Sequence, residues 1–156
     1  MKITVISIGK TKEAFLKEGL AIYLEKIKRY CTIVWQELEE VKNAASLPKD
    51  ELKRKEAKLF FDKLKPTDYV MMLDEHGKEF SSVQLANEFQ GIMNRGTSNA
   101  VFLIGGAFGF DETIEKRCHQ KIGLSQLTFT HQMIRLLLAE QIYRVFTILN
   151  NEKYHH

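Results

Sequence analysis

A cluster of glycines follows the most apolar stretch of the chain. Residues 100–104 read Ala-Val-Phe-Leu-Ile, and Gly105, Gly106 and Gly109 come directly after them. In open α/β sheets, ligands bind beyond the carboxyl ends of the strands, and glycines there let a ligand approach the main chain. The spacing matches neither the dinucleotide fingerprint nor the phosphate loop, which disfavours a nucleotide-dependent enzyme. A tight turn that needs a positive φ explains the same glycines equally well.

Two further segments could complete a binding site with this glycine cluster. One is the turn that follows Leu73, at the end of another apolar run. The other mixes apolar and polar residues, which are Leu124, Ser125, Gln126, Leu127, Thr128 and Phe129. Main-chain donors and acceptors between apolar walls suit an adenine ring. By themselves, these residues predict only a small planar ligand.

Polar side chains that could act on a substrate are concentrated near the end of the chain. They are His131, Arg135, Glu140, Arg144, Tyr154, His155 and His156. Because nine residues separate Arg135 from Arg144, a continuous helix places them on opposite sides. Arg135 either pairs with Glu140, meets a partner chain or binds phosphate, and pairing is favoured. A histidine here is either a general base or a hydrogen-bonded fixture.

These residues must be positioned by an α/β fold, because apolar runs typical of strands alternate with helical patterns. Such alternation predicts a mostly parallel sheet that is flanked by helices on both faces. Strands are predicted at residues 2–8, 32–38, 69–73 and 100–104, and residues 124–129 could form one more. A turn is expected at residues 74–77.

Five helices are predicted from apolar residues that recur at three- and four-residue steps. They cover residues 11–30, 50–64 and 81–93, a short stretch from residue 111, and residues 132–149. Asp50 can cap the second helix, which is rich in lysine and is stopped by Pro66. Ser81 and Gln84 have the spacing of a capping box at the start of the third.

Length and composition predict one domain, residues 1–156, since 156 residues with 44% hydrophobic content suffice for a single core. No apolar stretch approaches the roughly 20 residues of a membrane span, and no secretory signal pattern follows Lys2. We therefore expect no membrane association and a cytoplasmic location. Cys31 and Cys118 are isolated from each other and from any histidine cluster, so neither a metal site nor a disulfide is expected.

The first part of the chain is basic. Residues 1–65 contain 15 Lys and Arg against 10 Asp and Glu, whereas residues 66–156 contain 8 against 10. Lysines near phosphates release counterions, so this half suits a polyanionic partner such as RNA. Charge alone is at least as compatible with helix faces that are simply solvated.

Taken together, several motifs resemble the ribosomal RNA large subunit methyltransferase H family, over most of the chain. The motifs are Gly9-Lys10, Leu73-Asp74-x-x-Gly77-Lys78, Ile104-Gly105-Gly106 with Gly109, residues 124–129, His131-Gln132-Met133, Arg135, Glu140-Gln141-x-Tyr143-Arg144 and Tyr154-His155. The resemblance implies a SPOUT fold with a C-terminal trefoil knot and a homodimer that completes each active site. It also implies S-adenosylmethionine as methyl donor. The implied substrate is the N3 ring nitrogen of a pseudouridine in large-subunit ribosomal RNA, methylated on assembled ribosomes.

The same resemblance implies roles for individual residues. The donor would lie against Leu73, Gly105 and residues 124–129, while Tyr154 and His155 would close over the target base and His155 would assist proton removal. Arg135 and Arg144 would orient RNA phosphate or the donor's carboxylate. The chain departs from the family at Thr130, where proline is common, and at His156, where a basic residue usually follows Tyr-His.

A function from a different class remains open at this point. A non-catalytic, ribosome-associated RNA-binding module could use the basic first half and keep an inert α/β scaffold. Such a module would not bind the methyl donor, so donor binding separates the two hypotheses.

Overall fold

The computed structural model describes residues 1–154, which form a five-stranded sheet with all neighbouring strands parallel. The strands are β1 (Lys2–Ile8), β2 (Ile33–Leu38), β3 (Tyr69–Glu79), β4 (Asn99–Ile104) and β5 (Gln120–Gly123), in the spatial order β2-β1-β4-β3-β5. The predicted α/β class and parallel sheet are confirmed. The C-terminal knot stays a prediction.

Helices cover both faces of the sheet. They are α1 (Ala14–Ile27), α2 (Lys49–Phe61), α3 (Ser82–Asn94), α4 (Glu112–Arg117) and α5 (Met133–Leu149), with a short 3₁₀ turn at Ala44–Ser46. Helices α1, α3 and α5 supply one apolar core, and α2 and α4 supply the other. Strand β1 serves both cores, because Ile3 and Val5 point into the first and Ile6 and Ile8 into the second.

Local signals at two helix starts agree with the structure. The Ser81 hydroxyl accepts a hydrogen bond from the Gln84 amide at 3.2 Å, and the Gln84 side chain accepts one from the Ser81 amide at 2.8 Å, which is the predicted capping box. Asp111 caps α4 by accepting from the Thr113 amide at 2.9 Å. Asp50 does not cap α2. It lies in the first turn after Pro48, where its charge favours the helix dipole.

The region of β5 differs from the prediction. Residues 120–123 form the strand, whereas residues 124–129 form an irregular loop, so a strand at 124–129 is wrong. Strand β3 also continues through the predicted turn to Glu79, with a change of register against β5 between Leu73 and Lys78. The bulge brings Gly77 against β5, where a Cβ atom would lie 2.5 Å from the Ile122 carbonyl carbon.

The sheet order brings the carboxyl ends of β4, β3 and β5 together. Parallel strands all end at the same edge, so the segments that follow Ile104, Leu73 and Gly123 share one side of the domain.

None of the helices within residues 1–154 is long and apolar enough to cross a membrane.

Candidate active site

A cavity of about 650 Å³ opens at this carboxyl edge. It is bounded by three segments: the bulge of β3 from Leu73 to His76, the glycine segment of residues 105–109, and the loop of residues 124–130. His131 and Ile134 from the start of α5 complete the wall. The three segments that sequence reasoning grouped are therefore neighbours in the structure. A cavity of this size is within the range of small-molecule sites.

The glycine segment forms a tight turn and also leaves room for a ligand. The Gly109 amide donates to the Gly106 carbonyl at 3.2 Å, and Gly109 has a φ of 74°, a conformation that favours glycine. At Gly105, an added Cβ would lie 3.2 Å from the Phe110 ring, in the wall of the cavity. The tight-turn interpretation is therefore confirmed at Gly109, and the approach of a ligand to Gly105 stays a prediction.

The loop of residues 124–130 presents apolar side chains beside main-chain polar groups. Leu127 is 72% exposed and Phe129 is 37% exposed, although both line the cavity. The loop is held by few bonds, among them Ser125 Oγ accepting from the Leu127 amide at 2.9 Å and Gln126 donating to Glu79 at 3.2 Å. At its end, the Thr130 hydroxyl accepts from the Met133 amide at 3.2 Å. Thr130 therefore ties the loop to the start of α5.

Acidic groups surround the cavity to an extent that the sequence did not indicate. Asp74, Glu75 and Glu115 contribute to the wall, with Lys53 as a basic neighbour from α2. Asp74 also accepts from the His76 amide at 2.8 Å, which fixes the bulge. The position of Asp74 and Glu75 directly after Leu73 could have predicted that they lie at the site. Lys53 and Glu115 come from helices, and only the fold shows that they reach the site.

His131 is one of the polar residues near the end of the chain. Within residues 1–154, it is the one of these residues that lines the cavity. Burial lowers the pKa of His131, and the neighbouring Arg135 guanidinium lowers it further. A neutral imidazole is therefore favoured near neutral pH, so its free nitrogen can accept a proton or a hydrogen bond.

Arg135 is buried, with 1% of its surface exposed. Its guanidinium donates to the Ile8 carbonyl at 2.7 Å and to Thr11 Oγ1 at 3.0 Å, and it lies 3.3 Å from a Glu37 oxygen. Its Nε atom also donates to the carbonyl of His131 at 3.1 Å. The favoured pairing interpretation is correct, but the partner is Glu37 and not Glu140. The donors are used within the chain and are shielded from solvent, so we assign Arg135 no contact with RNA.

Arg144 points to a different surface, as the helical spacing predicted. Its Nε donates to Glu140 Oε1 at 3.0 Å, and its guanidinium lies 4.8 Å from the centre of the Tyr154 ring. Tyr154 also packs edge-on against Tyr143 at 4.8 Å. A hydrogen bond with Tyr23, burial and the Glu140 carboxylate raise the pKa of Tyr154, which keeps its phenol protonated.

The tail does not cover the cavity of its own chain as far as the structure describes it. Tyr154 rests on the middle of α5 and is absent from the cavity wall. The predicted catalytic residue His155 lies outside the described residues, as does His156. Residues 1–154 also contain no group of three or more His, Cys, Asp or Glu side chains arranged to hold a metal ion.

Comparison with known proteins identifies the family. The family described as "Predicted SPOUT methyltransferase" matches residues 1–155. The chain belongs to the SPOUT methyltransferase family. Among SPOUT relatives, "Ribosomal RNA large subunit methyltransferase H" of Cytophaga hutchinsonii is 46% identical over 156 residues, covering 100% of both chains. The protein of the same name from Flavobacterium johnsoniae is 44% identical, covering 100% of this chain and 99% of its own.

A solved structure has a similar fold. It is "The structure of a probable methylase family protein from Haemophilus influenzae Rd KW20", with a TM-score of 0.54 and 11% identity over 99% of this chain and 70% of that chain. At such low identity the likeness concerns the fold alone. The family match and the full-length relatives confirm the predicted family, and the chain is a methyltransferase.

Proposed function

We propose that this SPOUT methyltransferase uses S-adenosylmethionine to methylate the N3 nitrogen of a pseudouridine in large-subunit ribosomal RNA, on the assembled ribosome. The observation that carries the proposal is the convergence of Leu73, Gly105 and the 124–129 loop on one cavity, which every residue of that loop except Gln126 lines. The relatives named for large-subunit ribosomal RNA match the chain over its full length, which supports the substrate class. A ribosomal substrate would place the enzyme in the cytoplasm.

The cavity fits the proposed methyl donor in shape and in charge. Apolar side chains of Leu73, Leu124 and Leu127 suit the faces of an adenine, and Gly105 contributes main-chain polar groups to the same cavity wall. Asp74, Glu75 and Glu115 give the wall a negative character that favours a sulfonium ligand. The donor, when bound, supplies a methyl group that is already activated for transfer.

The protein would contribute alignment and proton removal at the target nitrogen. That nitrogen carries a proton and becomes a good nucleophile only when the proton leaves. We assign the proton-accepting role to His155 and the covering of the base to Tyr154. Arg144 orients RNA phosphate or the donor's carboxylate, since part of its side chain, 25%, stays exposed beside Glu140.

A homodimer would bring this tail to a cavity. Tyr154 rests against its own α5 and is absent from the wall of its own cavity, so the covering role proposed for Tyr154 calls for the tail of a second copy. Helix α1 offers apolar surface that a second copy could cover, since Phe15 is 57% exposed and Ile22, seven residues on, is 50% exposed.

Methyl transfer to ribosomes tests the proposed activity. Ribosomes from cells that lack the corresponding enzyme are incubated with the protein and labelled S-adenosylmethionine, and the modified base is mapped. We expect label on one pseudouridine of large-subunit RNA. Calorimetry with the donor and with its demethylated product gives a second reading. Heat with neither ligand and no label would favour the RNA-binding module instead.

Mixed dimers test whether one site uses two chains. Gly105→Val blocks the cavity and leaves the tail intact, while His155→Ala does the reverse. If each site combines the cavity of one chain with the tail of the other, equal mixing restores about a quarter of wild-type activity, because half the dimers hold one intact site. A site contained within one chain would give no recovery.

A further inference from the structure

Glu56 occupies a core position of α2 although it carries a carboxylate. The buried stripe of this helix consists of Leu52, Glu56, Ala57 and Phe60, and Glu56 is 7% exposed. Burial raises the pKa of Glu56, and the nearby Glu40 carboxylate adds to the rise. Within residues 1–154, no lysine or arginine forms an ion pair with Glu56. An apolar side chain would fill this position at lower cost.

The carboxylate faces the main chain of Gly106. A Cβ atom built on Gly106 would lie 2.5 Å from Glu56 Oε1 and 2.9 Å from Oε2, so the carboxylate takes the space that any other residue at 106 would need. The main-chain N–H of Gly106 lowers the pKa of this carboxyl, which partly offsets the effect of burial. The glutamate at position 56 therefore leaves space for glycine alone at position 106.

Gly106 is the residue that starts the turn in the cavity wall. Its carbonyl accepts from the Gly109 amide at 3.2 Å, and its neighbours Gly105 and Phe108 line the cavity. Glu56 itself does not line the cavity, so it can reach a ligand only through Gly106. A change in the contact between Glu56 and Gly106 would therefore move the part of the cavity wall against which the donor would lie.

We propose that Glu56 is a positioning residue for the methyl donor. Its carboxylate packs against the Gly106 main chain on the side of α2. This contact holds the 105–109 segment in the conformation that binds the methyl donor. The inference deepens the proposed function and rests on it. Because the buried carboxylate fills the space directly beside Gly106, the main chain there has little room to adopt another conformation.

Two substitutions of similar volume separate positioning from simple packing. Glu56→Gln keeps the shape of the side chain and a carbonyl oxygen beside Gly106, so S-adenosylmethionine should bind within about 3-fold of wild type. Glu56→Met fills the space and keeps the chain folded by circular dichroism, but it offers no acceptor. We expect it to weaken donor binding by about 10-fold or more in calorimetry. Glu51→Gln, at a partly exposed position of the same helix, is the control and should bind as wild type does.

A double-mutant cycle with Gly106 gives a reading that overall destabilisation would not produce. Gly106→Ala should weaken binding by about 10-fold or more, because its Cβ meets the Glu56 carboxylate. Adding Glu56→Ala removes the clash, so the double variant should bind no worse than Glu56→Ala alone. Penalties that multiply, or a Glu56→Met variant that binds like wild type, would overturn the positioning role. If wild type itself fails to bind the donor, the proposed function fails first, and that result is distinct from a difference among variants.

Discussion

Replacing Arg135 by methionine should destabilise the fold strongly, because the guanidinium joins the start of α5 to the end of β1. The side chain donates to Ile8, Thr11 and His131 and pairs with Glu37, while only 1% of it is exposed. Breaking a buried ion pair by removing one partner costs roughly 3–5 kcal/mol. Glu37 is 26% exposed and keeps the Thr11 hydroxyl as a donor, so we take the lower value, about 3 kcal/mol.

This free energy converts into a measurable shift. For a chain of this length, 1 kcal/mol lowers Tm by about 2–4 °C, so Arg135→Met should melt roughly 6–12 °C below wild type. Urea denaturation followed by circular dichroism gives the free energy of unfolding directly. Arg135→Lys should recover little, because one ammonium cannot reach partners that the planar guanidinium holds together.

The matched control is Arg144→Met on the same helix. Arg144 is 25% exposed against 1% for Arg135, and Glu140, which is 17% exposed, keeps the Gln141 and Tyr154 side chains as donors, so the loss should be smaller, on the order of 1 kcal/mol. If Arg135→Met costs less than about 1 kcal/mol, or if it weakens RNA binding while stability is unchanged, the structural role assigned to Arg135 is wrong.

The other predictions concern the cavity and the titratable groups. Gly105→Ala should weaken donor binding about 10-fold. The control is Gly91→Ala, at a helix position where a Cβ meets nothing within 4 Å, which should leave binding unchanged and stabilise the fold by up to about 1 kcal/mol. Equal donor affinities of the two variants in calorimetry would contradict this prediction. The pKa of His131 is lowered below 6.5, so its neutral form contributes stability that is present above that pH and is lost as the pH falls. His131→Asn should therefore lose less stability between about pH 7 and about pH 5, and an imidazole that titrates above 6.5 by NMR would refute the assignment. Burial raises the pKa of the Cys31 and Cys118 thiols to about 11, so both should react slowly with Ellman's reagent at pH 8, and rapid labelling of the folded protein would contradict their burial.

Periodicity and local capping chemistry predicted most elements, because their causes are local in sequence. The capping box at Ser81 and Gln84 needs only neighbours three residues apart. Strand β5 was missed because only Ile122 is strongly apolar among its four residues, and its pairing with β3 defines it. The loop at residues 124–129 mixes apolar and polar residues as a strand can, but it pairs with none of the strands described.

The site could be located from the sequence, but its internal contacts could not. Glycines and mixed loops that follow apolar runs were enough to place the cavity at one sheet edge. The pairing of Arg135 with Glu37 joins residues that are far apart in the chain, so no local pattern indicates it. The same holds for Glu56 and Gly106, whose fit depends on how α2 lies over β4.

The central place of β4 has a consequence for how the chain acquires its structure. On the growing polypeptide, β1 and β2 can pair early, but β3 can join them only through Asn99–Ile104, which is made much later. Distant pairings of this kind slow folding, and they leave strand edges open to misassociation in the meantime. Synthesis from the amino terminus should therefore produce a partly folded intermediate in which β1 and β2 pair before β4 is made. The lysines that flank these early segments would hinder association of this intermediate with other chains.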